Sequence, residues 1–217
     1  MPVSSKQRKI LAFPHTKYDA LICDGAIRSG KTSFMTVAFI DDAMRRYKNQ
    51  RLGICGNTVD STTKNIIVPY MGLTYAKKKY KLNWKSKDKV LEVRRGAVVN
   101  HFEVFGGKDE ASYKLIQGRT LAGVLFDEVA LQPRSFVEQA LGRCSVTGSR
   151  FWFNCNPDAP THWFKLEWID RLADKNAYHI HFFLDDNPAL DERVRNRYKS
   201  MFTGIFYRRY ILGEWCL

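Results

Sequence analysis

The stretch Gly25-Ala26-Ile27-Arg28-Ser29-Gly30-Lys31-Thr32 constrains this chain more than any other, because it satisfies G-x-x-x-x-G-K-[ST] at every fixed position. An apolar run, Ala20-Leu21-Ile22-Cys23, leads into it, and Val37, Ile40, Met44 and Tyr47 recur at helical spacing behind it. Strand, glycine-rich turn and helix in that order make a phosphate cradle. The glycines let successive backbone N–H groups converge on phosphate oxygens, and the helix N-terminus adds a partial positive charge. In such a loop Lys31 reaches the terminal phosphates and the Thr32 hydroxyl ligates Mg²⁺, while Gly25, Ala26, Ile27, Arg28, Ser29 and Gly30 supply the cradle itself. An ordinary strand-to-helix glycine turn is the competing reading, and the flanking strand and helix weigh against it.

A length of 217 residues suits one α/β domain, and 45% hydrophobic with 26% charged residues is enough apolar matter to bury a core. Lys and Arg number 35 against 22 Asp and Glu, a formal net charge of +13. That excess points to a polyanionic partner, nucleic acid before an acidic membrane surface, with a merely solvated basic face as the alternative. The cysteines (Cys23, Cys55, Cys144, Cys155, Cys216) are odd in number, scattered and without C-x-x-C, which reads as a reduced intracellular protein. The polar start, Met1 to Lys6, has no apolar signal region, and no run approaches membrane-spanning length; the expected location is cytoplasmic, with no membrane partner.

Periodicity predicts a helix over Ser5 to Phe13 that packs Ile10 and Leu11, with Gln7 on an adjacent face, and strands over Asp19–Asp24 and Arg51–Gly56 around a Lys31–Tyr47 helix. Val59 to about Lys77 reads as helical with a break near Pro69. Val90–Val93 and Val98–Phe105 alternate around Arg95-Gly96, the signature of a hairpin. Further strands are expected at Val124–Phe126, Arg150–Cys155 and Ala177–Leu184, and helices around Ser135–Leu141 and His162–Leu172. Asn187 would cap a last helix with Pro188 in its first turn. Strands separated by helices argue for a mostly parallel sheet covered on both faces.

A phosphate loop needs a carboxylate delivered by a neighbouring buried strand. Val124-Leu125-Phe126-Asp127-Glu128 supplies it: Asp127 for the Mg²⁺ shell and Glu128 to polarise an attacking water. Asp109-Glu110 follows Gly-Gly-Lys and lacks a strand to aim it, and Asp185-Asp186 reads as structural. Phe153-Asn154-Cys155-Asn156-Pro157 ends another strand in amides; Asn154 and Asn156 there suit hydrogen bonding to a γ-phosphate, or simply an Asn-Pro turn. His179 and His181 alternate on a strand without Cys or His partners at ligand spacing, which argues against zinc.

These segments in this order, with Asn154 to Trp163, Leu184-Asp185-Asp186-Asn187-Pro188 and terminal Leu212-Gly213-Glu214-Trp215, resemble the ATPase half of the large terminase subunit of tailed phages, of the type found in phages and prophages of Gram-positive bacteria. The resemblance runs from about Gln7 to Trp215. It implies an additional-strand, RecA-like P-loop NTPase: an α/β fold with a central, mostly parallel sheet flanked by helices and a β-hairpin insertion. It also implies Mg-ATP hydrolysis coupled to translocation of double-stranded DNA into a procapsid. On this chain Lys31, Thr32, Asp127 and Glu128 fall on the loop lysine, the Mg²⁺ hydroxyl, the Walker B aspartate and the catalytic glutamate. Asn154 to Pro157 fall on the motif that couples hydrolysis to DNA movement.

Gln7 is similar to a glutamine that reads adenine, and Arg28 to an arginine that contacts the γ-phosphate. Arg119 is the candidate for an arginine donated to a neighbouring subunit, with Arg134, Arg143 and Arg150 as alternatives. Expected partners are DNA, the portal protein and the terminase small subunit, in a homo-oligomeric ring acting in the host cytoplasm at the procapsid portal. The expected organisation is one ATPase domain over residues 1–217, without the RNase H-like nuclease domain of the family, whether expressed alone or left by a degraded prophage. A helicase-like DNA-dependent ATPase, a P-loop kinase and a DNA-binding module with a relic nucleotide site are the rivals; Glu128 disfavours the kinase. Lys77 to Lys89, with Tyr80 and Trp84, suits DNA phosphates or a solvated hairpin face equally. Arg193, Arg195, Arg197, Arg208 and Arg209 read as the exposed face of the last helix.

Overall fold

The apolar runs of the sequence become an eight-stranded sheet in a computed structural model that describes residues 2–217; Met1 lies outside the described residues. The strands are β1 Ala20–Gly25, β2 Arg51–Gly56, β3 Lys81–Lys85, β4 Val90–Arg95, β5 Val98–Gly106, β6 Gly123–Phe126, β7 Arg150–Cys155 and β8 Ala177–Phe182. Their order is β3-β4-β5-β2-β6-β7-β1-β8; pairing is parallel from β5 across to β8 and antiparallel for β3, β4 and β5. The helices are α1 Ser5–Ala12, α2 Lys31–Arg46, α3 Val59–Thr62, α4 Val68–Gly72, α5 Thr74–Lys79, α6 Arg134–Gly142, α7 Trp163–Glu167, α8 Glu192–Met201 and α9 Gly204–Tyr210. Among the described residues no helix is long and apolar enough to cross a membrane.

The central strands are unbroken apolar runs because both their faces are covered. Leu21, Cys23, Ile54, Leu125 and Trp152 point to one face with Met35, Phe39 and Ala43 of α2. Ile22, Cys55, Phe126, Phe153 and Cys155 point to the other, with Phe136 and Val137 of α6 and Phe164 of α7. Trp152 anchors the first layer edge-on to Phe13 and Phe39. Ile10 of α1 is buried as expected, but its neighbour Leu11 is 39% exposed: one residue along a helix turns the side chain away from the packed face.

Topology explains where chemistry can occur. β7 stands between β1 and β6, the extra strand that separates loop from acidic strand in an additional-strand NTPase. Register places Phe126 beside Phe153 and Cys23 beside Asn154, so the residues that follow all three strands emerge together at one edge.

Some expectations do not hold. The expected hairpin is present as β4 and β5 around Arg95-Gly96, but it is not a separate insertion: β3 adds a third strand on β4, and β5 also belongs to the parallel sheet through β2. β3 carries Lys81, Asn83 and Lys85 at its exposed alternate positions, as suits an edge strand, and so lacks an apolar run. Residues 59–77 do not break at Pro69. That proline sits in the first turn of α4, directly after a π turn over Thr63–Ile67, where a missing N–H costs little. The break comes at Leu73, whose backbone is extended. Asn187 caps no helix; Asp191 does, accepting from the Val194 N–H, and two short helices, α8 and α9, follow.

Gly25 is where backbone freedom is required. Its φ is +122°, and a Cβ there would overlap the Phe182 backbone of β8. Gly25→Ala should therefore cost roughly 3 kcal/mol, from strained backbone and overpacking together. Urea unfolding of the variant beside the parent measures it, and a loss below about 1 kcal/mol would show that β8 yields easily.

Candidate active site

Residues 25–32 leave β1, turn back and enter α2 at Lys31, so that the N-terminus of α2 faces a cleft of about 640 Å³. Residues 27–33 of the loop, Asp127, Glu128 and Asn156 line it, with Lys64, Asn65 and Pro69 opposite and Asn187 and Leu190 at one side. Ligand pockets span about 300–1,000 Å³, so the cleft has room for a nucleotide-sized ligand.

Lys31 is 5% exposed, its ammonium folded back over its own loop. Nζ donates to the carbonyls of Gly25 (3.2 Å) and Ala26 (2.6 Å), and lies 3.3 Å from Asn156 Oδ1. Burial lowers its pKa, opposed chiefly by the charge of Glu128. The Thr32 hydroxyl donates to Asp127 Oδ1 at 3.2 Å. Burial pushes the Asp127 carboxyl up, against hydrogen bonds from Asn154 and Thr32. Glu128 is pushed up by burial first and by the charge of Asp127 second, with Lys31 pulling the other way. A glutamate raised towards neutrality is a better matched proton acceptor than a solvated one.

Glu128 is also conformationally marked. Its backbone is left-handed, φ 54° and ψ 52°, a region that non-glycine residues rarely occupy and that surrounding contacts must hold. Asn154 does the holding: fully buried, it accepts from the Glu128 N–H at 3.0 Å. Asn156 bonds to the side chain instead, its N–H to Oε2 and its Nδ2 to Oε1, both at 3.3 Å. The two amides expected to contact a ligand are thus divided. Asn156 faces the cleft and bridges Lys31 to Glu128, whereas Asn154 lies behind it as a brace.

Other expected residues are dispersed. Arg28 is exposed at the cleft, with φ 53°. Gln7 is 1% exposed and does not face the cleft; its Oε1 accepts from the Ser4 N–H and its Nε2 donates to the Ser29 carbonyl. Its amide caps α1 and braces the loop at Ser29. Arg119 also lies away from the cleft, paired with Glu103 at 2.9 Å and 44% exposed at its side chain.

Sequence reasoning missed Lys64, Asn65 and Asn187. No motif marks the first two; the π turn carries them to the cleft. Asn187 was mistaken for a cap, and its Nδ2 donates to the Arg28 carbonyl at 2.6 Å. Asp24 was missed as well, although a carboxylate inside an apolar strand must find partners. Its Oδ1 lies 2.6 Å from His179 Nε2 and 2.9 Å from His181 Nδ1, and its Oδ2 accepts from Trp215 Nε1 at 2.7 Å. The histidine pair therefore does have a carboxylate partner. The separations are those of hydrogen bonds; two ligands of one tetrahedral zinc stand about 3.4 Å apart.

Burial alone would raise the Asp24 carboxyl, but His179 and His181 outweigh it and hold it well below the ordinary carboxylate range. Stability from this group is therefore complete above about pH 4 and is lost as the pH falls further. Asp24→Asn should cost about 2–3 kcal/mol at neutral pH, and its difference from the parent should shrink on acidification towards about pH 3. Urea denaturation across that range tests this; a difference that widens on acidification would reverse the assigned sign.

A family model described as terminase large subunit, T4likevirus-type, N-terminal matches residues 22–217. The large terminase of a thermophilic bacteriophage is similar to the chain at 45% identity and TM-score 0.95, over 100% of this chain and 54% of that one. The same phage protein in complex with ATP-γ-S matches at 43% identity and TM-score 0.92, over 100% and 53%. The large-terminase ATPase domain of Thermus phage P74-26 shares the fold at 17% identity and TM-score 0.70, over 95% of this chain and 92% of that one. The chain spans about half the length of the thermophilic phage's terminase. No curated protein matches it.

Proposed function

The chain belongs to the terminase large-subunit family, matching its N-terminal part, and from that we propose that it is a motor domain coupling Mg-ATP hydrolysis to movement of double-stranded DNA into a phage procapsid. The observation that carries this reading is the convergence of Lys31, Thr32, Asp127, Glu128 and Asn156 on one cleft at the N-terminus of α2. The thermophilic phage's terminase has been solved with ADP and with ATP-γ-S, which supports a nucleotide in the corresponding cleft here.

The loop N–H groups and the α2 N-terminus would receive the phosphates, and Lys31 would exchange its carbonyl partners for phosphate oxygens. The Thr32 hydroxyl and the Asp127 carboxylate, 3.2 Å apart, are hard oxygen donors that suit Mg²⁺. Mg²⁺ when bound neutralises phosphate charge. Glu128, held by Asn154 and Asn156, orients the attacking water and takes its proton. Asn156 touches both Glu128 and Lys31, so it is placed to change partners as the terminal phosphate leaves and to move the Asn154–Pro157 segment with it. Arg28 reaches the terminal phosphate from within the loop. Arg119, half exposed on a surface away from its own cleft, serves a neighbouring subunit in a homo-oligomeric ring. The portal protein and terminase small subunit would be partners, and the host cytoplasm the setting.

Glu128→Gln should bind ADP and ATP-γ-S within about twofold of the parent while turnover falls at least about 100-fold. It should also raise the melting temperature, because it removes a buried charge beside Asp127. Arg119→Ala should bind nucleotide normally and lose turnover only at concentrations where subunits assemble. Calorimetry and a phosphate-release assay decide, and unimpaired turnover by the glutamine variant would refute the hydrolytic assignment.

For DNA, the strongest candidate surface is the open groove between the end of α5 and the β3–β4 edge. Lys77, Lys78, Lys81 and Arg95 line it, and none of the four has an ion-pair partner among the described residues, whereas Lys79 is tied to Asp41 and Arg94 to Glu92. Alanine at these four should weaken duplex binding alike for unrelated sequences. The slope of log affinity against log salt should fall by about 0.9 for each DNA phosphate that is no longer neutralised. An unchanged slope in a filter-binding salt series would move the DNA site elsewhere.

A further inference from the structure

The last residues of the chain form a strap across the base of the phosphate loop. Ile27 N–H donates to the Tyr210 carbonyl at 2.9 Å. Gly213, at φ +71°, passes so close that a Cβ would lie 3.0 Å from His181 Nε2 and 3.1 Å from both Ala26 N and Gly25 Cα. Two residues on, the Trp215 indole N–H is bonded to Asp24, the residue immediately before the loop.

The strap is fastened to the segment that follows β7 too. Cys216 N–H donates to the Asp158 carbonyl at 3.1 Å, Arg209 Nη1 lies 3.0 Å from Asp158 Oδ1, and Arg209 Nη2 donates to the Cys216 carbonyl at 2.7 Å. Asp158 stands two residues after Asn156, which bonds to Lys31 and Glu128. One short segment therefore bridges the start of the loop and the end of the Asn154–Pro157 motif, which leave the neighbouring strands β1 and β7.

Most of the segment is covered, with Gly213 buried and Glu214 and Trp215 half-buried. Ile211 and Cys216 are 3% and 4% exposed, whereas Leu212 is 39% exposed and Leu217 81%. Ile211 packs with Ala26 and Leu184, Trp215 packs against the layer that holds Phe153 and Phe164, and hydrogen bonds fasten both ends, so a local opening of this segment would break these contacts together.

We propose that Trp215, through its bond to Asp24, is a positioning residue that couples the seating of residues 211–216 to nucleotide occupancy of the cleft. This rests on the nucleotide-binding reading above. A bound nucleotide stiffens the loop on which the strap lies, so it favours the seated state. Linkage then requires the seated strap to favour nucleotide by the same factor. Asp24 takes no part in phosphate contact; it acts by fixing β1 and the indole to each other.

The test follows the indole N–H resonances of the ¹⁵N-labelled chain as ADP or ATP-γ-S is added, with Trp215→Phe identifying the resonance of interest. Saturating nucleotide should shift that resonance and slow amide exchange over residues 211–216, and Asp24→Asn should move the same resonance without nucleotide. Trp215→Phe, which keeps an aromatic ring but no N–H, should bind both nucleotides about fivefold more weakly by calorimetry. An unmoved resonance with unchanged exchange at saturation would overturn the proposal, as would parental affinity in the phenylalanine variant. Should that variant not fold, the resonance and exchange of the parent chain decide alone. Absence of any calorimetric binding by the parent chain would instead refute the nucleotide-binding reading.

Discussion

A parallel sheet covered on both faces leaves polar chemistry one place to go, the edge where its strands end, and this molecule depends on that constraint. β1 and β6 are buried along their length, β7 is buried from Trp152 to Cys155, and the three stand side by side. Their side chains are spent on the two packed layers, so the first residues free to be polar are those just past each strand. Those residues are the phosphate loop, Asn156, and Asp127 with Glu128. The in-line register of the three strands delivers them to one cleft. Inserting β7 between loop and acid strand also sets the Asn156 amide between the lysine and Glu128, where it touches both.

The cleft is electrostatically poised. A buried ammonium, a buried carboxylate and a half-buried one are each unfavourable alone and tolerable together: desolvation pushes Lys31 down and Asp127 and Glu128 up, while attraction between the lysine and the acids opposes those shifts. Local strain adds to this, since Glu128 is held left-handed by a hydrogen bond from its N–H to a fully buried asparagine. Such an arrangement trades stability for reactivity, as expected where a preorganised site must accept a strongly charged ligand.

The region below the cleft follows a different logic. Asp24 is a buried charge satisfied by nitrogen donors from β8 and from the end of the chain, and it ties the loop to both. Replacing it by an apolar residue would leave the indole N–H and two imidazoles without their acceptor, so the cluster stands or falls together. Its position makes the loop part of a frame that includes residues nearly two hundred positions away.

Local patterns carried much of this molecule. A glycine loop between strand and helix, an acid pair closing an apolar run and amides closing another could be placed because each obeys rules spanning a few residues: backbone freedom, the alternation of a strand, the need of a carboxylate for a rigid mount. For the same reason Lys31, Thr32, Asp127, Glu128 and Asn156 were legible one by one. Their convergence, and the roles of Gln7, Asn154, Asn187 and Asp24, were not, because each depends on a partner far along the chain. Nothing near Gln7 in the sequence shows that its amide bonds to Ser29, 22 residues further on. Asn154 looked ligand-facing until register placed it behind Glu128. The histidines looked partnerless until β8 paired with β1. Short-range chemistry in the chain determined which groups could act, and only the tertiary structure decided which of them face the cleft and which hold it, since strand order and register are set by long-range burial that no local pattern encodes.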